Sequence, residues 1–533
     1  MKRQSRILAA ILFVFAFTAI LTLAALSVNA DADAETASFE IVETEDHGSF
    51  TVYHIRFPEG TFRRPPMRSG RMNALGLSDT QMQTMKNGIR ADAAEKKEII
   101  GLQQYYIPYD IKKAELLVSA VGEDPENIGI RITGYYQYTL DNNTYFYGLA
   151  AEYYTDAEVA AMREAGDALL EGVAESGLSD AEKALIVHDR LAVWSEYDEE
   201  NLEKGTVPEN SYEAYGVLAD HIGVCEGYAK AYMYLMNRLG IPTEYITSTA
   251  LNHGWNVVTI DGQPYHVDVT HDDPVYDVLG RVWHSHFLVS TGTLRSFDDC
   301  HAEYDYDTEN VISDTAYENE LWRDVDAAYV LCGGEVYCLR ADSTGAPALY
   351  RRTNGSEEAV LLLSDALSDT VWYANGGTAA WNGIFCRLQT DGETLYISLA
   401  KNIYRYEPDT GVLSVVCSPA ELTAPDDSIY GFRLDGDTLR MQIGTGPNGR
   451  LPVISYAVPE PPEPPKPALP GDLNGDGVVN ITDTVYLLTY LLYPEYAPLG
   501  SADADYNGDG SVDSYDAAYL LQYSVFPELY PIE

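Results

Sequence analysis

Positive charge is what this chain has least of. Lys and Arg total 34 of 533 residues against 82 Asp and Glu, a formal net charge of −48 at pH 7. So acidic a surface repels phosphate backbones and anionic lipid, which argues against nucleic acid as a partner. Long apolar runs are nearly as scarce, with a single one at Ile7–Leu26. It follows Lys2, Arg3 and Arg6 and precedes Ser27-Val28-Asn29-Ala30, the layout of a signal peptide over residues 1–30 with a small-residue cleavage site. The run is also long enough to span a bilayer, so an uncleaved anchor is the alternative. The expected mature protein is soluble and secreted, with no membrane partner after signal cleavage. Cysteine is sparse too, six in all. Exported chains often use cysteines in disulfides, but the spacing is irregular and Cys225 stands 75 residues from Cys300 (300 − 225). Cys332 and Cys338 could bridge a hairpin or stay reduced; the state of Cys300, Cys386 and Cys417 is equally open.

A chain of this length divides into several domains. Residues 31–150 alternate apolar and polar in short stretches such as FEIVETEDHGSFTVYHIRF, so a β-rich N-terminal region is expected. Two capping boxes follow, Thr155 with Glu158 and Ser179 with Glu182, each announcing a helix within a region 151–310 that mixes helices and strands. From 315 to 457 strand patterns return. EVYCLRADSTG and NIYRYEPDTG resemble each other, a weak propeller-like repeat with too few blades to close, so an all-β module is expected. The Pro-rich stretch VPEPPEPPKPALPG then supplies an extended linker over 458–470, ahead of a separate domain at 471–533.

That last domain holds two copies of one loop, offset by 33 residues (505 − 472). Asp472, Asn474, Asp476, Asn480 and Asp483 place side-chain oxygens at loop positions 1, 3, 5, 9 and 12, with Gly477 at the sharp turn and Val478 offering a carbonyl. Asp505, Asn507, Asp509, Asp513 and Asp516 repeat the pattern with Gly510 and Ser511. This is EF-hand-type geometry for two calcium ions, except that position 12 is Asp and not Glu. The linker leaves no room for an entering helix, and helices follow only, at TVYLLTYLL and AAYLLQYSV. The loop-then-helix duplicate resembles a type I dockerin domain, which in secreted bacterial enzymes plugs into the cohesin modules of a cellulosome scaffold. The resemblance implies calcium-dependent cohesin binding through loop positions 10 and 11, here Ile481, Thr482, Ser514 and Tyr515. These differ between halves, which puts interchangeable dual-mode docking in doubt.

A second constellation lies in the middle of the chain. In HGWNVVTIDGQPYHVDVTHDDP (253–274), Asp261-Gly262 signals a two-residue hairpin turn. Paired positions then sum to 523, setting Asp268 opposite Trp255 and placing His253, Trp255 and Asp268 on one face. Asp268 can accept a hydrogen bond from one nitrogen of His253 and free the other as a base. His266 shares that face and is the rival base. The candidate nucleophile is Cys225 in GVCEGYAKAYMYLMNRLGIP, whose apolar stripe predicts a helix ended by Gly240 and Pro242. Cys225 falls at its N-terminus, where amide groups and the dipole favour a thiolate. Singly, each residue reads equally as packing or as a cap.

Together, AYGVLADHIGVCEGYAKAY, the His253–Pro274 stretch and HFLVSTGTLRS resemble the transglutaminase-like superfamily over about 155–305. The resemblance implies a multidomain α+β protein with a papain-like transglutaminase core, beside the all-β module and a small all-α calcium-binding dockerin with paired F-hand loops. It implies Cys225 as nucleophile, His253 as general base and acid, and Asp268 as orienting carboxylate, with no cofactor for catalysis. One departure is His271, where many relatives carry tryptophan. The implied chemistry is acyl transfer on protein or peptide amides through a cysteine thioester. The Cys225 backbone N–H and an upstream donor, for which Tyr215 is the candidate, would hold the oxyanion. Water as acceptor makes a peptidase or amidase, the preferred reading, in a setting of polysaccharide degradation; a lysine amine makes a cross-linking glutamyltransferase. A non-catalytic peptide- or wall-binding module is the other class. A glycoside hydrolase finds no convincing paired-carboxylate motif here.

Overall fold

The computed structural model describes residues 39–46, 51–57, 73–248, 252–273, 275–297, 301, 311–353, 355–363, 369–374, 376–382, 385–447, 450–458, 469–474, 476–494 and 504–532. The expected leader at 1–30, Cys300 and most of the linker lie outside them. The chain divides into two compact units, Met1–Ala457 and Val458–Glu533.

The first unit opens with a five-stranded sheet in the order β1 (Glu40–Asp46), β2 (Thr51–Arg56), β4 (Ile130–Leu140), β5 (Asn143–Tyr153), β3 (Ile99–Gly101). Only β2 and β4 run parallel. Two helices belong to this region besides its strands, α1 (Asp79–Ala94) and α2 (Ile111–Gly122). Asp110 and Ser78 cap them, Ser78 in a capping box with Gln81. Their Met85, Ile89 and Leu117 share a core with Ile100, Phe146 and Leu149 of the sheet.

The middle region is built from α3 (Asp156–Leu170), α4 (Asp180–Trp194), the short β6 (Glu196–Tyr197), α5 (Glu199–Lys204), α6 (Ala214–Leu218), β7 (Ile222–Gly223) and α7 (Cys225–Arg238). Both capping boxes form, on Thr155 and on Ser179. An antiparallel sheet follows, in the order β11 (Phe287–Val289), β10 (Gln263–Val267), β9 (His253–Ile260), β8 (Thr243–Ser248), with the short α8 (Val269–Asp272) and α9 (Thr291–Leu294) beside it. Buried Ala231, Tyr232, Leu235 and Met236 carry α7 into the core that Val258, Ile260 and Val267 of the sheet also enter. Gly240, with φ +75°, turns the chain out of α7.

Residues 330–457 form four antiparallel sheets in succession. The first is β12 (Val330–Cys332), β13 (Glu335–Ala341), β14 (Pro347–Thr353) and β15 (Ser356–Leu362); the second is β16 (Val371–Ala374) with β17 (Ala379–Asn382). The third is β18 (Arg387–Thr390), β19 (Leu395–Ser398), β20 (Ile403–Glu407) and β21 (Val412–Cys417); the fourth is β22 (Ser428–Asp435), β23 (Thr438–Gly444) and β24 (Val453–Ala457). The two similar segments fall on β13 and β20, the second strand of one sheet and the third of another, so their likeness marks a strand-and-turn and not a blade period. One apolar core runs from Met162 of α3 through Trp322 and Leu339 to Tyr430 of β22, joining these sheets to the middle region. Arg352 of β14, 3% exposed, reaches Glu320 at 2.9 Å and the capping Glu182 of α4 at 3.5 Å, over the ring of Trp322.

The second unit holds two helices among its described residues, α10 (Ile481–Leu492) and α11 (Ser514–Val525), packed through Leu487, Ala517 and Leu520.

Candidate functional site

Cys225 is the first residue of α7. The preceding Val224 donates its N–H to Ser211 O at 2.8 Å, anchoring the helix tip to the 211–213 loop. Gly227 allows this approach, because a Cβ there would stand 2.5 Å from Ser211 O and 3.1 Å from Glu213 O. Cys225 therefore begins the first turn, whose amide groups have no helical partners and favour a negative charge there.

The hairpin pairs Gln263 with Ile260 through Val267 with Asn256, so every pair sums to 523. The ladder stops at Val267. Asp268 is not a strand residue but the N-cap of α8, and its two oxygens divide their duties. Oδ1 accepts the backbone N–H of His271 at 3.2 Å, while Oδ2 lies 2.6 Å from Nε2 of His253. Burial opposes charge on His253, but Asp268 outweighs it, and the Cys225 thiol, the imidazole's other hydrogen-bonding neighbour, adds to the effect; together they push the pKa up to about 10. Burial likewise works against the Asp268 carboxylate, yet His253 and His271 hold it well below the usual range. The structure thus brings Cys225, His253 and Asp268 together from the tip of α7, the start of β9 and the N-cap of α8.

His266 is placed otherwise. Its Nδ1 accepts the indole N–H of Trp255 at 3.1 Å, and its Nε2 lies 2.9 Å from Thr291 Oγ1. Burial, then the charges of His301 and Arg295, push it down to about 3, so it is a neutral bracket for Trp255, whose ring stacks on His253. Tyr215 is not brought to the thiol. Its ring stacks on Tyr154 with centroids 5.2 Å apart, and burial, then the charges of Asp220 and Glu158, push its pKa up. Tyr197, Tyr212 and Tyr245 are pushed up first by burial, with Cys225 among the nearby groups that add to it.

Two sets of contacts here have no counterpart in the sequence, where His271 stands out only as a departure from tryptophan. Nε2 of His301 and Nδ1 of His271 each lie 3.0 Å from Asp268 Oδ2, converging on the oxygen that faces His253. Behind α8 runs a buried relay: His284 Nε2 lies 3.0 Å from Asp189, His188 Nδ1 2.8 Å from Asp189, and His188 Nε2 3.3 Å from Asp272. Asp272 in turn accepts the His286 N–H at 3.0 Å. Asp189 also accepts the N–H of Tyr329 at 2.6 Å, so the relay reaches from the β-sheet region to the helix that Asp268 caps. Only the dipeptide His188-Asp189, on the buried face of a predicted helix, could have signalled it.

In the second unit the two loops have one geometry. Asp472 accepts N–H bonds from Asp476 at 3.1 Å and Gly477 at 2.8 Å; Asp505 accepts them from Asp509 and Gly510 at the same distances. Gly477 and Gly510 take φ of +83° and +89°. Asn480 and Asp513 cap α10 and α11, and Asp483 and Asp516 are fully buried at position 12. No Lys, Arg or His follows Lys466 in the sequence, so no basic side chain of this segment can neutralise those carboxylates. An all-oxygen donor set with buried acids and no internal cation fits calcium, with Val478 and Ser511 in the carbonyl position. Ile481 and Tyr515, beside Thr482 and Ser514, are 61% and 72% exposed at the helix starts.

Comparison with known proteins follows this division. A solved structure described as that of a TGase is 18% identical, covering 32% of this chain and 50% of its own, with a TM-score of 0.21. A protein from Cytophaga hutchinsonii provisionally described as a cysteine protease is 13% identical, covering 26% of this chain and 61% of its own, with a TM-score of 0.17. The chain therefore spans half the length of the first and about three fifths of the second. No curated protein matches. Residues 167–288 match the family model of the transglutaminase-like superfamily, and residues 470–523 match that of the dockerin type I domain.

Proposed function

We propose that the protein is a secreted thiol enzyme that transfers acyl groups of protein or peptide amides, most readily to water, while its dockerin docks it to a cohesin of a cellulosome scaffold. The observation that carries the reading is the position of His253, with Nε2 on Asp268 and the Cys225 thiol as its other neighbour. The Cys225 thiol passes its proton to His253 as its sulfur attacks the amide carbonyl; a C–S bond forms and the carbonyl oxygen takes the negative charge. The N–H groups at the start of α7, that of Cys225 first, would donate to this oxyanion. The C–N bond then breaks, and His253 gives its proton to the departing amine. In the second half His253 takes a proton from water as its oxygen attacks the thioester; the C–S bond then breaks, His253 returns the proton to the sulfur, and the acid leaves. Asp268 keeps the ring aligned throughout, and the stacked Trp255 holds it from the side.

A lysine amine in place of water gives an isopeptide cross-link by the same steps, and the matched superfamily keeps this second reading open. A substrate drawn from a plant-fibre setting follows from the dockerin alone. Calcium, when bound, gathers the oxygens of each loop and fixes the helix starts that carry Ile481, Thr482, Ser514 and Tyr515.

Mass spectrometry of casein incubated with the protein and a labelled primary amine tests the reading, with Cys225→Ala as control. Clipped chains or glutamine-to-glutamate shifts that need Cys225 support hydrolysis. Amine added at glutamine supports transfer. No Cys225-dependent change on casein or on peptide libraries favours a binding module.

A further inference from the structure

The oxygen that orients His253 is overcommitted. A carboxylate oxygen offers two lone pairs, yet three imidazole nitrogens crowd Asp268 Oδ2: His253 Nε2 at 2.6 Å, His271 Nδ1 at 3.0 Å and His301 Nε2 at 3.0 Å. These four ligand atoms lie within 4.8 Å of one another. The three rings stand edge to face around the oxygen, with centroids 4.8 Å apart for His253 and His271, 5.3 Å for His253 and His301, and 4.5 Å for His271 and His301. They come from three places in the chain: the start of β9, the helix α8 and a position 33 residues beyond Asp268.

A single cation at the point where these groups converge satisfies all of them better than three protons can. Three imidazole nitrogens and one carboxylate oxygen are a tetrahedral donor set for zinc and its first-row neighbours, and a poor one for calcium or magnesium, which take oxygen alone. The set is preorganised. Asp268 and His301 are at most 1% exposed, His253 is 8% exposed, and Asp268 Oδ1 is tied to the α8 backbone. His271, 26% exposed, is the side open to solvent. The other buried His–Asp group, His188 with Asp189 and His284, is closed on itself, since His284 Nδ1 already lies 2.9 Å from Val325 O and Asp189 is bonded to a backbone N–H.

We propose that His253, Asp268, His271 and His301 form a transition-metal site of the zinc class, built over the candidate catalytic pair. Four protein ligands leave no open coordination position, so the metal is a lock and not a catalyst. While it is held, Nε2 of His253 is a ligand, so the ring can no longer carry protons on both nitrogens, and the imidazolium that would pair with a Cys225 thiolate cannot form. That consequence rests on the acyl-transfer reading, whereas the metal site does not. His271 is the residue that completes the set, which gives a chemical role to the histidine that stands where many relatives have tryptophan.

The test is cobalt titration of the full chain, with calcium in excess to fill the dockerin loops, followed by visible absorption and by metal content after gel filtration. Tetrahedral Co2+ in an N3O set absorbs in the visible, and Zn2+ should displace it. One Co2+ per chain is expected, retained by Cys225→Ala and weakened about tenfold or more in both His271→Trp and His301→Gln. Thermal denaturation of the variants without metal checks that they are folded. The proposal is overturned by absence of retained cobalt, by affinity unchanged in folded His271→Trp and His301→Gln, or by loss in Cys225→Ala alone, which would put the metal on the thiol. Because the readout is absorption and metal content, these results stand apart from any outcome of the casein assay.

Discussion

Asp268 holds His253 with one carboxylate oxygen and the start of α8 with the other, at 2.6 Å and 3.2 Å. Cap and orienting group are one residue, so the angle of the imidazole is set by a helix that itself rests on a buried His–Asp relay. Asp268→Asn should retain the cap through its carbonyl oxygen yet present an amide where a carboxylate faced the imidazole. Turnover of casein should fall about a hundredfold or more, with the far-UV circular dichroism unchanged. Turnover within a few-fold of the parent would mean that Asp268 serves the cap alone.

Gly227 makes a second prediction, about placement. A methyl there meets backbone carbonyls at 2.5 and 3.1 Å, which cannot rotate away. Gly227→Ala should cost on the order of 1–3 kcal/mol of stability and lower turnover, since the helix start that carries Cys225 must move. Thermal denaturation and the casein assay on the same sample check both parts.

His188 makes a third, about pH. Burial opposes its charge, but Asp189 and Asp272 outweigh it and raise the pKa to about 9 from an ordinary 6.5. The rings of Tyr232, His284 and Phe287 also face it. Because the folded value is the higher one, this stabilisation is complete below about pH 6.5 and drains away as pH rises through 9; its full size is about 3 kcal/mol. His188→Gln should therefore melt earlier at pH 6 and lose less stability than the parent between pH 6.5 and 9. Parallel melting curves across that window would contradict the assignment.

Calcium removal gives the fourth. With the ion gone, the carboxylates of each loop face one another with no basic residue after Lys466 to offset them. A chelator should reduce the helical signal of the second unit and abolish cohesin capture, and excess calcium should restore both. The double variant Asp472→Ala, Asp505→Ala should behave as the chelated protein at any calcium level. Cohesin capture that survives chelation would separate docking from calcium.

What was legible in the sequence was mostly local. The Asp261-Gly262 turn set the hairpin register because a two-residue turn leaves no freedom in pairing, and the stripe Tyr228, Tyr232, Leu235, Leu239 drew α7 because it meets the core once per turn. The end of the ladder was not legible. Asp268 reads equally as strand or cap, and only the fold shows that it leaves the sheet at Val267. The helices α1 and α2 hid among alternating segments, although Ser78 with Gln81 was a capping signal. His301 and the Asp189 relay were beyond reach for another reason. His301 meets Asp268 across 33 residues, and His284 meets Asp189 across 95, distances at which spacing carries no information without the topology. Nothing in the sequence singles out the upstream donor; the fold turns Tyr215 toward Tyr154 and sets Tyr197 nearer the thiol.

In the proposed function Cys225 is a nucleophile made so by His253. Limiting iodoacetamide at pH 7, with the labelled peptides mapped by mass spectrometry, addresses it without a known substrate. Cys332, Cys338 and Cys386 are buried, and burial pushes Cys386 up to about 12, so they should react slowly; burial also raises Cys417. Cys225 should be labelled first, and His253→Phe should slow its labelling by about tenfold or more. Labelling of Cys225 no faster than of Cys417, or at an unchanged rate in folded His253→Phe, would contradict it.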